Sequence, residues 1–136
     1  MVEMSEETTL NLTLRDIQEA GCLTNNQKTK MADVFGSRFT AAYEAIEEGK
    51  VKRYIFHPSG RVVWIVSGKE RDYQILPLAN FCSCFDFYFR VINREISYCY
   101  HLIAQKIARN LGWFEVIEEN DELYQSLMNE WKKATA

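Results

Sequence analysis

Four residues constrain this chain more than any other feature: Cys82-Ser83-Cys84 and, after a gap of fourteen residues, Cys99-Tyr100-His101. Three of the four cysteines and one of the two histidines fall in this window. Three thiolates and an imidazole form a soft donor set, which calcium and magnesium do not favour. The set suits zinc, which such ligands enclose in a tetrahedron with Zn–S near ~2.3 Å and Zn–N near ~2.0 Å. The pattern therefore predicts one structural Zn2+ held by Cys82, Cys84, Cys99 and His101.

The spacing also says what backbone must carry the ligands. Residues two apart share a face of a strand but point nearly opposite ways on a helix. Cys82 and Cys84 are thus expected on a strand end or knuckle. Cys99 is expected just before a helix and His101 in its first turn, where the helix dipole favours a thiolate. A redox pair or a cysteine nucleophile is the alternative chemistry. No Gly-rich elbow, activating acid or oxyanion motif accompanies these cysteines, and a closed shell leaves no position open for a substrate. The expectation is a protein that is not an enzyme, with no catalytic residues.

The motif resembles the SWIM-type zinc finger, whose signature is Cys-x-Cys, a variable gap and Cys-x-His. The resemblance covers about residues 50–110, including the segments Phe56–Ser67 and Phe85–Ile92. It is most similar to the small SWIM proteins of the Shu-complex type, which act as recombination cofactors. That resemblance implies a RecA-like recombinase paralog as partner and a role in homologous recombination and DNA repair. Beside that partner, single-stranded or branched DNA is a candidate ligand and a homo- or heterodimer a candidate state.

The rest of the chain frames this module. Three helices are expected before residue 50: Thr13–Gly21, Asn25–Phe35 and Ser37–Glu48, with the first six residues frayed. Phe39, Ala42, Tyr43 and Ile46 make one apolar stripe on the third. From Val51 the period becomes strand-like, giving Val51–Phe56, a turn at His57-Pro58-Ser59-Gly60, then Arg61–Val66 and Asp72–Leu78. His57 is expected exposed beside that turn. A helix is expected over Phe85–Arg94, its aromatic residues buried and Asp86 paired with Arg90, and another after His101. Leu123, Tyr124, Leu127, Met128 and Trp131 predict a last amphipathic helix capped by Asn120 or Asp121. It either closes the core or offers Met128 and Trp131 to a partner. Cys22 is expected as a small buried apolar residue. The fold class is α+β: N-terminal helices, a three-stranded antiparallel sheet leading into the zinc module with its two helices, and a C-terminal helix. The corresponding segments are 1–49, 50–112 and 113–136, packed as one domain.

Charge is segregated along these segments. The chain carries net charge −3, but residues 1–49 hold a net −5, residues 50–112 a net +6 and residues 113–136 a net −4. A basic middle suits phosphate or an acidic partner. Lys69, Arg71, Arg90, Arg94, Lys106 and Arg109 are the candidates for that surface, whether it meets DNA or, in a pure protein-interaction adaptor, another protein. No long apolar run or leader-like N-terminus is seen. A soluble intracellular protein without a membrane role is expected, cytoplasmic or, in a eukaryote, nuclear.

Overall fold

In a computed structural model, the structure is described over residues 5–68, 71–84, 87, 90 and 98–133. The element order is α1 (Glu6–Ala20), α2 (Asn25–Phe35), α3 (Ser37–Glu47), β1 (Val51–His57), β2 (Arg61–Ser67), β3 (Asp72–Leu76), β4 (Phe81–Cys82), α4 (Tyr100–Leu111), β5 (Glu115–Asn120) and α5 (Tyr124–Lys133). Short 3-10 turns at Pro77–Ala79 and Asp121–Leu123 lead into β4 and α5. The class is α+β, as expected. No helix among the described residues is long and apolar enough to cross a membrane.

The sheet has five strands rather than three, in the order β4-β3-β2-β1-β5. The antiparallel β1-β2-β3 core is as expected, and β4 extends it by two residues. The fifth strand was not expected, because Glu115-Val-Ile-Glu-Glu-Asn120 is acidic and lacks a clear apolar alternation. It pairs parallel to β1, with Glu115 opposite Lys52 and Val116 opposite Arg53. Backbone pairing along the length of β1 supplies what apolar patterning does not. The connection is tied further by Asp121, whose carboxylate accepts from the Ser59 amide and hydroxyl at 2.9 and 2.6 Å.

Strand alternation divides the molecule into two layers of packing. Val51, Trp64, Val66 and Ile75 face α1–α4 and join Leu10, Ile17, Met31, Phe39, Leu102, Ile103 and Ile107 in the main core. Phe56, Val63 and Ile65 face the other way, onto Trp131, Tyr124, Leu127 and Met128. Trp131 is 3 % exposed, so this chain's own sheet occupies it and α5 closes the core. The reading of Trp131 as an anchor for a partner is thereby corrected.

Helix α1 starts at Glu6, well before the expected Thr13. Ser5 caps it by accepting the Thr8 amide at 3.1 Å, and Glu6 and Glu7 complement the dipole in its first turn. Helix α2 spans the expected residues behind a reciprocal Thr24–Gln27 capping box. Cys22 is exposed instead of buried. It follows Gly21, which ends α1 at φ 74°, and Leu23 takes the inward position in its place. His57 is exposed, as expected, and lies 3.2 Å from Glu118. The helix expected over Phe85–Arg94, with its Asp86–Arg90 pair, lies outside the described residues except at Phe87 and Arg90.

Candidate metal centre

The two halves of the site arrive from different elements. Strand β3 pairs with β4 in the register Ile75↔Cys82 and Leu76↔Phe81, which brings Cys82 to the end of the sheet. Ser83 then holds the knuckle. Its hydroxyl accepts the Gln74 amide at 3.0 Å, and its own amide donates to the Gln74 carbonyl at 3.1 Å. Cys84 follows, with the Phe87 amide 3.3 Å from its sulfur. On the other side, Cys99 is the N-cap residue of α4 in extended conformation, and His101 sits in the first turn.

The ligand atoms of Cys82, Cys84, Cys99 and His101 all lie within 4.8 Å of one another, and all four residues are buried. Both ring nitrogens of His101 are buried without a hydrogen bond. An imidazole stripped of water and left unpartnered is costly, so the pocket is shaped for a Lewis acid. The ring is boxed in by Tyr100 and Tyr73, with centroids at 3.8 and 4.5 Å. Donor type, number and enclosure fit one structural zinc ion. Bound there, the ion would crosslink the β4 knuckle to the start of α4.

The sulfurs are close enough to share protons. Burial, followed by hydrogen bonds with Cys84 and Cys99, pushes the Cys82 thiol far above its ordinary range. Hydrogen bonds from Cys82 and then Cys99 pull Cys84 far below it. At Cys99 the bond with Cys82 favours the thiolate, but the bond to Cys84 and burial outweigh it and push the thiol up to about 12. Zinc binds cysteine as thiolate, so its binding must expel the protons that this cluster of thiols holds. Zinc affinity is expected to rise with pH and to fall on acidification, with proton release on metal addition measurable in weakly buffered solution.

Two positioning residues escaped the sequence reading. Ser83 is the unspecified middle residue of Cys-x-Cys, and only its pairing with Gln74 reveals it. Ser83→Ala leaves the buried Gln74 amide without an acceptor, an expected cost of about 1–3 kcal/mol. Thermal melts and competition with a chromophoric chelator would measure the loss of stability and of zinc affinity. Arg38 of α3 pairs with Glu6 of α1 and donates to the Tyr98 carbonyl at 2.7 Å, next to Cys99. It ties the N-terminal helices to one arm of the site. Because the pair is largely buried, Arg38→Met is expected to cost roughly 2 kcal/mol. Denaturant unfolding would measure that cost, and faster amide exchange at Leu102 and Ile103 would show the arm loosening.

The basic candidates are placed less tightly. Arg71, between β2 and β3, and Arg90 are exposed. Lys106 and Arg109 lie one turn apart on α4. Burial and then Arg109 lower the Lys106 pKa, whereas Arg109 is exposed. Lys69 and Arg94 lie outside the described residues.

No protein-family model matches the chain. It is 34 % identical over 95 residues to a zinc finger SWIM domain-containing protein 7 homolog from Dictyostelium discoideum, covering 68 % of this chain and 61 % of that protein. The chain thus spans less than two thirds of that relative's length. It is also 26 % identical over 122 residues to zinc finger SWIM domain-containing protein 7 from Homo sapiens, covering 88 % of this chain and 86 % of that protein. The relatives and the buried ligand pattern agree: the chain is similar to SWIM-type zinc finger proteins and carries the Cys-x-Cys and Cys-x-His ligand pairs.

Proposed function

We propose that this zinc module does no chemistry of its own and serves DNA and protein interaction, as an accessory factor in homologous recombination or repair beside a RecA-like paralog. The observation that supports the non-enzymatic part is the buried four-ligand cluster: on one zinc ion, four protein donors would fill a tetrahedral shell and leave no position for substrate. The recombination role and the recombinase-like partner follow from resemblance to the small Shu-complex-type SWIM proteins. The DNA part is supported by the basic residues 50–112 set between two acidic segments. The protein would act inside the cell, in the cytoplasm or nucleus.

Fluorescence anisotropy of labelled single-stranded and duplex DNA over a salt series tests this reading. Binding to a single strand is expected to weaken with log salt at a slope near −0.7 for each phosphate contact. It should disappear when Arg90, Arg94, Lys106 and Arg109 are neutralised together. Absence of binding at low salt would instead support the adaptor reading, in which the basic surface meets an acidic protein.

A further inference from the structure

Helix α4 covers only part of the sheet face on which it packs. Strand alternation puts Val51, Arg53 and Ile55 on that face of β1, with Val62 and Trp64 beside them on β2. Val51 and Trp64 are buried beneath the helices, but Val62 is 43 % exposed, and Val116, opposite Arg53 on β5, is 50 % exposed. A groove of about 510 Å³ opens over this uncovered part, lined by Arg53, Val62, Trp64, Leu78, Arg109 and Phe114. Leu78, on the turn between β3 and β4, is 99 % exposed at its rim.

Among the described residues, neither arginine is paired with a carboxylate. Among the described residues, the ion pairs are Arg15–Glu19, Arg38–Glu6, Lys50–Glu48 and His57–Glu118, so Arg53 and Arg109 are in none. The Arg53 guanidinium lies 5.9 Å from the Trp64 ring centroid, and its Nε is buried with no hydrogen-bond partner. A guanidinium that lines an open groove with no acid beside it is best met by a carboxylate. Meanwhile Val62 and Leu78 present aliphatic surface that phosphate cannot use.

The geometry points to this groove as a docking site for an acidic, apolar segment of a partner protein. Its carboxylates pair with Arg53 and Arg109, and an apolar side chain between them packs on Val62 and Leu78. Single-stranded nucleic acid fits less well: Trp64 is 8 % exposed and meets Phe114 edge-on at 4.9 Å, so it offers a base no free ring face. The inference extends the protein-interaction half of the reading above and holds whether or not the chain contacts DNA.

Selection from a random-peptide display library against the full zinc-loaded chain tests the groove. The selected peptides and a thymidine oligonucleotide would then be titrated against wild type, Arg53→Gln and Leu78→Ser. Both variants leave Arg71, Arg90, Lys106 and Arg109 intact, and Leu78 has no packing to lose. Enriched peptides should carry acidic residues flanking a large apolar one. Their affinity should fall about tenfold in each variant, with oligonucleotide binding unchanged. Failure to enrich peptides, enrichment without acidic residues, or equal affinity for both variants and wild type would overturn the proposal. Loss of oligonucleotide binding in Arg53→Gln would assign the groove to nucleic acid. A dimer in sedimentation that dissociates in Arg53→Gln would assign it to a second copy of this chain.

Discussion

Cys99→Ser is expected to release zinc and to unfold much more than the metal site. Cys99 is both a ligand and the N-cap residue of α4. That helix supplies Leu102, Ile103, Ala104, Ile107 and Ala108 to the main core, all fully buried. Structural zinc contributes on the order of 10 kcal/mol in small zinc-finger peptides, while whole domains are stable by only about 5–15 kcal/mol. Losing the ion is therefore comparable to losing the fold. A zinc-free Cys99→Ser or His101→Ala protein should show reduced helical circular dichroism, and exhaustive chelation should reproduce it in the wild type. A metal-free protein with native circular dichroism and an unshifted melting midpoint would show that the apolar core suffices without the ion.

The next largest effect is expected at Trp131→Ala. Trp131 is 3 % exposed, packs with Phe56, Val63 and Ile65, and meets the Tyr54 ring edge-on at 5.0 Å. Truncating a buried Trp costs about 3–5 kcal/mol, enough to lower the melting midpoint by on the order of 10 °C in a domain of this size. Leu123→Ala is the control, since Leu123 is 46 % exposed and precedes α5. A change there is expected to stay within about 0.5 kcal/mol. If Trp131→Ala left the isolated protein as stable as Leu123→Ala, α5 would not be closing this chain's core, and its apolar face would be available to another chain.

The metal site was legible because its signals are local. Two-residue spacing carries its own statement about strand or helix, and the soft donor set names its metal whatever the fold. Helices α2 and α3 were legible for the same reason, from caps and a three-to-four-residue apolar period. The start of α1 was missed because polar residues dominate Ser5 to Thr9. The Ser5 cap and the Glu6–Arg38 pair, a contact across 32 positions, then extend the helix. Strand β5 was missed because its stability comes from a neighbour. Its acidic side chains read as loop or solvated surface until β1 lies alongside and supplies the backbone partners.

The sequence by itself determined the four ligands, the zinc they suit, the α+β class and the antiparallel hairpins that deliver Cys82, since each follows from residue type at short spacing. Only the tertiary structure decided that β5 joins β1, that Arg38 and Ser83 brace the site, and that Arg53 and Arg109 share a groove. These are pairings between residues far apart in the chain. Their energies exist only once the core has brought them together, so no local pattern announces them.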